Sequence, residues 1–146
     1  MSGYLLDVNV LIALVDPSHV NHDGAHRWFA RIADHTWATC PITENGLIRI
    51  LSNPRYPNVD WMPRDIIRHI QGFFISGLGH QFWPDSVSLG DETLFQHEFI
   101  VSHKQLTDVY LLGLAVNNSG ALVTFDRSIP LTTVKGADKD SMIVLR

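Results

Sequence analysis

A single cysteine, Cys40, stands in the whole chain. No disulfide can form within it and no cysteine-ligated zinc cluster can be built, a usage that suits a reducing cytoplasm. Charge is also sparse. Asp, Glu, Lys and Arg make up 18% of the residues, against 45% hydrophobic ones. Such a chain buries enough apolar surface to offset its ordering entropy, which excludes intrinsic disorder. The 10 glycines and 7 prolines are scattered, so collagen-like and low-complexity chains are excluded too. No apolar run reaches the roughly 18 residues of a membrane span. The nearest, GYLLDVNVLIALV over residues 3–15, is broken by Asp7 and Asn9, and no Lys or Arg precedes it as in a signal peptide. The expectation is therefore a cytoplasmic protein that does not meet a membrane. An excess of positive charge is missing as well: 11 basic and 15 acidic residues give a net charge of −4. That excludes a protein that coats nucleic acid, but not an enzyme that acts on it.

The length of 146 residues is that of one domain, and residues 1–146 are expected to share one core. Strand signals fall at Tyr4–Asp7, Thr36–Cys40, His80–Trp83, Ala121–Phe125 and Met142–Leu145. Between them the periodicity predicts helices over Asn9–Val15, His22–Asp34, Ile42–Leu51, Pro63–Ser76, Glu92–Phe99 and Thr107–Asn118. Pro63 suits a first helical turn, Gly77 and Gly79 a stop, and Thr107 and Gly120 a cap and a stop. Ser52–Trp61, with Asn53-Pro54 and Tyr56-Pro57, must be a loop. Alternating strands and helices give an α/β fold, with a four- or five-stranded, mostly parallel sheet flanked by helices on both faces. In such sheets ligands bind beyond the C-terminal strand ends.

Four acids occupy those ends or the helix starts beside them: Asp7, Glu44, Asp108 and Asp126. Taken singly, each is explained by capping or a turn. Asp7, however, sits inside the run YLLDVNVLIAL with no Lys or Arg near it in sequence. An ionised carboxylate there is costly unless something pairs with it, and a divalent cation is the economical partner. Oxygen-only ligands select Mg²⁺ or Mn²⁺ over Zn²⁺. The chemistry that follows is metal-assisted phosphodiester hydrolysis.

At these residues the sequence resembles the PIN-domain ribonucleases. LLDVNVLIAL carries Asp7 and Asn9, PITENGLIRIL carries Thr43 and Glu44, LTDVYLLGLAV carries Asp108, and ALVTFDRSI carries Thr124 and Asp126. Together with CPITENG and SNPRYP, the set most closely resembles VapC toxins of prokaryotic toxin–antitoxin systems. The resemblance implies a Mg²⁺- or Mn²⁺-dependent endoribonuclease, a VapB-like antitoxin that blocks its site, and a homodimer. Asp7, Glu44, Asp108 and Asp126 take the family's catalytic acidic positions, with Asp7, Asp108 and Asp126 as the metal-binding ones. Asn9, Thr43 and Thr124 take supporting ones. Many members carry a further acid shortly after the fourth, where this chain has Ser128.

Arg49 and Arg55 flank the loop after the Glu44 helix and are the candidate RNA contacts. The pairs Arg27/Arg31 and Arg64/Arg68 divide evenly between a solvated helix face and an RNA-backbone contact. Trp28, Phe29 and Trp37 read as core. Asp85, in a Pro-Asp turn, stands close to a strand end. His19, His22 and His26 read as solvated helix histidines, since no HExxH or cysteine supports a zinc site. No GxSxG supports a hydrolase triad. An aspartyl phosphotransferase is disfavoured, because Asn9 replaces the second acid of its DxD signature. A PIN-like RNA-processing nuclease outside any toxin–antitoxin pair, and a non-catalytic α/β binding module, are the remaining alternatives.

Overall fold

The computed structural model describes residues 3–57, 60–76 and 79–146. The elements run β1 (Tyr4–Leu6), α1 (Val8–Val15), α2 (His22–Arg31), β2 (Trp37–Thr39), α3 (Pro41–Leu51), α4 (Pro63–Ser76), β3 (His80–Phe82), α5 (Leu106–Asn117), β4 (Ala121–Thr124) and β5 (Met142–Val144). The five strands form one parallel sheet in the order β3-β2-β1-β4-β5. The chain moves outward from β1 through β2 to β3, then returns to the other side of β1 for β4 and β5. The reversal lies between β1 and β4, where the connections diverge and leave a crevice.

Side-chain alternation divides the core into two layers. Leu6, Trp37 and Val123 face α1, α2, α3 and α4, while Leu5, Ala38 and Leu122 face α5 and the segment that follows β3. Both Leu5 and Leu6 are fully buried, as expected of a central parallel strand covered on both faces. Trp28 and Trp37 are core residues, with the Phe29 ring edge-on to Trp37 at 5.2 Å.

Three expectations are corrected. No α-helix spans Glu92–Phe99. The Asp91 carboxylate ties down the amide and hydroxyl of Thr93, Phe95 bridges to Val134, and only a 3₁₀ turn forms at His97–Phe99. Side-chain bonds to nearby backbone here displace the helical ladder. Thr107 does not cap α5. A Ser102/Gln105 capping box starts a 3₁₀ turn that runs straight into the helix, so Thr107 lies within its first turn. Gly120 does not supply a left-handed stop, which falls on Ser119 at φ 57°. Gly120 is instead needed for close approach, because a β-carbon there would run into the Gly3 carbonyl beside β1. Gly77 lies outside the described residues. Among the described residues, no helix is long and apolar enough to cross a membrane.

Candidate active site

The crevice at the strand reversal is built from β1 outward. Asp7 follows the last residue of β1, and its backbone amide still bonds the Val123 carbonyl of β4 at 2.9 Å. One carboxylate oxygen caps α1 through the Val8 amide at 2.7 Å, and the other accepts from the Thr124 hydroxyl at 2.7 Å. Thr124 ends β4 and is fully buried. Its oxygen also accepts from the Asn9 amide at 3.2 Å and the Asp126 amide at 3.0 Å, while the Asn9 carbonyl takes the Phe125 amide at 3.2 Å. One hydroxyl thus fixes the ends of two strands and two of the acids. Asp126 is held from its other side by the Ser128 amide and hydroxyl, at 2.8 and 2.6 Å. In this chain Ser128 therefore positions an acid rather than adding one.

A cavity of about 730 Å³ opens here, lined by Asp7, Asn9, Asn45, Arg49, Asp108 and Asp126 among others. Asp108 comes from the first turn of α5, on the opposite face of the sheet from α1 and α3. The three carboxylates feel one another. Burial, then the charges of Asp7 and Asp126, lift the Asp108 carboxyl to about 6. Burial also raises Asp7, opposed by its bonds to Thr124 and Val8. The Ser128 bonds and a hydrogen bond with Asp108 lower Asp126. Without a cation and below about pH 6, the proton shared in this cluster therefore rests on Asp108 and is donated to Asp126.

Glu44, expected to join this cluster, does not line the cavity. Its side chain accepts from the buried Thr39 hydroxyl at 2.6 Å, and Thr39 in turn lies 2.8 Å from Nε2 of His80. Thr39 spends its proton on Glu44, so His80 must be the Nε2–H donor. Burial lowers the His80 imidazole and keeps it neutral in that role. The cavity is lined from α3 by Ile42, Asn45, Gly46, Arg49 and Ile50, the i, i+3, i+4, i+7 and i+8 face, and Glu44 lies outside it. A β-carbon at Gly46 would stand 2.9 Å from the Val8 side chain, so the glycine sets how closely α3 approaches α1.

Arg49 lines the cavity, whereas Arg55 sits in an exposed turn bonded through its amide to Asn53. Thr43 is buried, and its hydroxyl bonds the Cys40 amide and carbonyl, so it caps α3. The Cys40 thiol is buried and raised by that burial, which removes it as a nucleophile. His22 and His26 bond the Ala13 and Leu14 carbonyls at 2.7 and 2.9 Å, satisfying the open C-terminus of α1, and His19 accepts from the Asn21 amide. Asp85 is exposed and lines no cavity near the acids. Two residues missed in the sequence line the same space: Asn45 and Thr107.

Among the described residues, no three His, Cys, Asp or Glu side chains close around one point as a finished metal cage. The donor set nevertheless fits a hard divalent ion. Its charged donors are carboxylate oxygens, and one of those carboxyls is lifted to about 6 by burial and by the charges of its two neighbours. Mg²⁺ takes few carboxylates and keeps its waters, so a complete cage is not required.

Comparison with known proteins identifies the family. The PIN domain family model matches residues 4–134. Ribonuclease VapC44 of Mycobacterium tuberculosis is 42% identical over 148 residues, covering 97% of this chain and 98% of the relative. Ribonuclease VapC39 of the same organism is 43% identical over 125 residues, covering 86% and 89%. A crystal structure of VapBC2 from Rickettsia felis bound to a DNA fragment from their promoter superposes with a TM-score of 0.62 over 99% of both chains, at 14% identity, and so shares the fold. The chain belongs to the PIN domain family, as a VapC-like member.

Proposed function

We propose that the protein is a Mg²⁺- or Mn²⁺-dependent endoribonuclease and the toxin of a toxin–antitoxin pair. The observation that carries the proposal is the convergence of Asp7, Asp108 and Asp126 on one cavity at the sheet's reversal point, where Asp108 is lifted to about 6. The VapC relatives are named ribonucleases, and the structural neighbour is a VapBC assembly, which supports RNA as substrate and a VapB-like antitoxin as partner. A homodimer belongs to the same proposal.

Asp7 and Asp126 would hold the ion, with Asp108 joining them as a third carboxylate. Bound there, a divalent ion supplies an acidified water and neutralises charge on the phosphoryl group. The chain's own residues do the positioning. Thr124 and Val8 fix both Asp7 oxygens, Ser128 fixes Asp126, and Asn9 locks the turn between Thr124 and Phe125. Those bonds leave the carboxylates little freedom to turn away, so they meet the ion without reorganising. Arg49, on the cavity wall, is placed for a substrate phosphate. Glu44, committed to Thr39, is proposed to anchor α3 against β2 rather than to bind the ion.

RNA cleavage by the pure protein, with and without EDTA, tests this reading. Cleavage should stop in EDTA and return with Mg²⁺ or Mn²⁺. Asp7→Asn and Asp126→Asn should each remove most of it, and the double substitution should add little, as for residues acting as one unit. Undiminished cleavage in EDTA would overturn the metal role. Full activity of Asp7→Asn in Mg²⁺ would overturn that residue's assignment.

A further inference from the structure

A second concavity, of about 290 Å³, lies on the other side of the same acids. It is lined by Lys104, Gln105, Asp108, Asp126, Ser128, Ile129 and Pro130. Asp108 and Asp126 line both spaces, so these two carboxylates form a divide between them. Each side adds one further cation: Arg49 in the larger cavity and Lys104 in the smaller. In a chain of net charge −4, one cation on each flank of an acidic divide is a specific arrangement.

Two other polar groups of the smaller space are already committed. The Gln105 carbonyl accepts from the Val101 and Ser102 amides, and the Ser128 hydroxyl donates to Asp126. Lys104 bonds Ser102 through its backbone amide, which leaves the ammonium to meet a ligand. Ile129 gives that space an apolar side. The larger cavity, with Ile12, Ile42 and Ile50, has room for a nucleotide with its base, while the smaller suits a sugar-phosphate.

We infer that a single RNA strand crosses the Asp108–Asp126 divide, with Arg49 holding a phosphate on one side of the scissile bond and Lys104 a phosphate on the other. The inference rests on the nuclease reading and adds to it the path of the substrate and a binding residue, Lys104. The cut then falls inside a bound segment rather than at its edge, which suits an endonuclease.

The test is steady-state cleavage of a single-stranded RNA oligonucleotide with Mg²⁺ by the full chain, at several salt concentrations. Lys104→Gln should raise KM about two- to fivefold, the scale of an exposed charge pair, with kcat within about twofold. The slope of log(kcat/KM) against log[salt] should flatten by about 0.7, one phosphate contact on a single strand. Arg49→Gln should do the same, the two should add, and Lys104→Arg should restore both readouts. The cap bond from Lys104 uses its backbone, so Lys104→Gln should leave the melting temperature unchanged. Oligonucleotides shortened on one side of the cut should lose the Lys104 effect and keep the Arg49 effect. Those shortened on the other side should do the reverse. A Lys104→Gln protein with unchanged KM and slope, or both cations answering to the same truncation, would overturn the inference and leave the nuclease reading intact. Absence of cleavage by the unaltered protein would overturn the nuclease reading itself.

Discussion

Replacing Asp108 by Asn gives the site's electrostatics a direct measure. In the metal-free protein its carboxyl rises from an ordinary 3.8 to about 6 through burial, then through Asp7 and Asp126. A folded state that holds this proton more tightly than the unfolded chain is favoured while the proton stays on. The contribution is fully present below about pH 4 and is lost as pH rises through about 6. At about 1.4 kcal/mol per pH unit, that rise sets a ceiling of about 3 kcal/mol. The side chain is only half-buried, and solvent screening brings the expectation down to about 1–2 kcal/mol. Asn mimics the protonated acid, since its amide also donates to Asp126. Urea unfolding in EDTA should therefore give nearly equal stabilities at pH 4 and an Asp108→Asn protein about 1–2 kcal/mol more stable at pH 7.5. Mg²⁺ should then raise the stability of the unaltered protein more than that of the variant, because only the former keeps the full carboxylate set. A stability difference that stays flat from pH 4 to 8, or a variant less stable at pH 7.5, would refute this reading of the cluster.

Thr124→Val keeps the shape of a fully buried side chain but removes the hydroxyl that serves Asp7, Asn9 and Asp126. Urea unfolding at pH 7.5 should show a loss of about 1.5–3 kcal/mol, with Thr124→Ser closer to the parent; equal stability of Thr124→Val would remove the hydroxyl from its central role. Gly113→Ala places a β-carbon against the buried Phe95 ring and should cost about 1–3 kcal/mol. That cost should shrink in a Phe95→Leu background, and an equal cost in both backgrounds would rule out the clash as its cause. Glu44→Gln should keep RNA cleavage within about tenfold of the parent, the scale of a supporting contact. A loss matching that of Asp7→Asn would mean that Glu44 turns into the cavity during the reaction.

Asp7 and Asp126 were legible in the sequence because their context is local. Each follows a short apolar run, and a parallel sheet brings such positions to one edge. Asp108 was legible for a related reason, standing in the first turn of a strongly apolar helix. The sheet order, which puts β4 rather than β3 beside β1, has no local signature. The irregular stretch after β3 carries a helical pattern but forms no α-helix, because the choice there is made by contacts distant in sequence. Phe95 fills the space left by Gly113, 18 positions later, and its backbone pairs with Val134. The supporting role of Thr124 was legible only through the family resemblance, not from local pattern, since its partners Asp7 and Asn9 stand more than 100 residues away.

Glu44 shows how far periodicity alone reaches within a motif. At about 100° per residue, Arg49 lies roughly 140° around the helix from Glu44 but only about 40° from Asn45. If Arg49 faces the cleft, Asn45 must face it and Glu44 must not, and the lining of the cavity follows that arithmetic. The motif alone groups Glu44 with the other acids, and the helix phase, once Arg49 is placed, turns it away from the cavity. Glu44 finds Thr39 and His80 on the far side, where two hydrogen bonds in series join α3, β2 and β3. In the role proposed for Glu44, holding α3 there keeps Arg49 on the cavity wall, and its charge serves the site from behind that wall by fixing the helix that carries the cation.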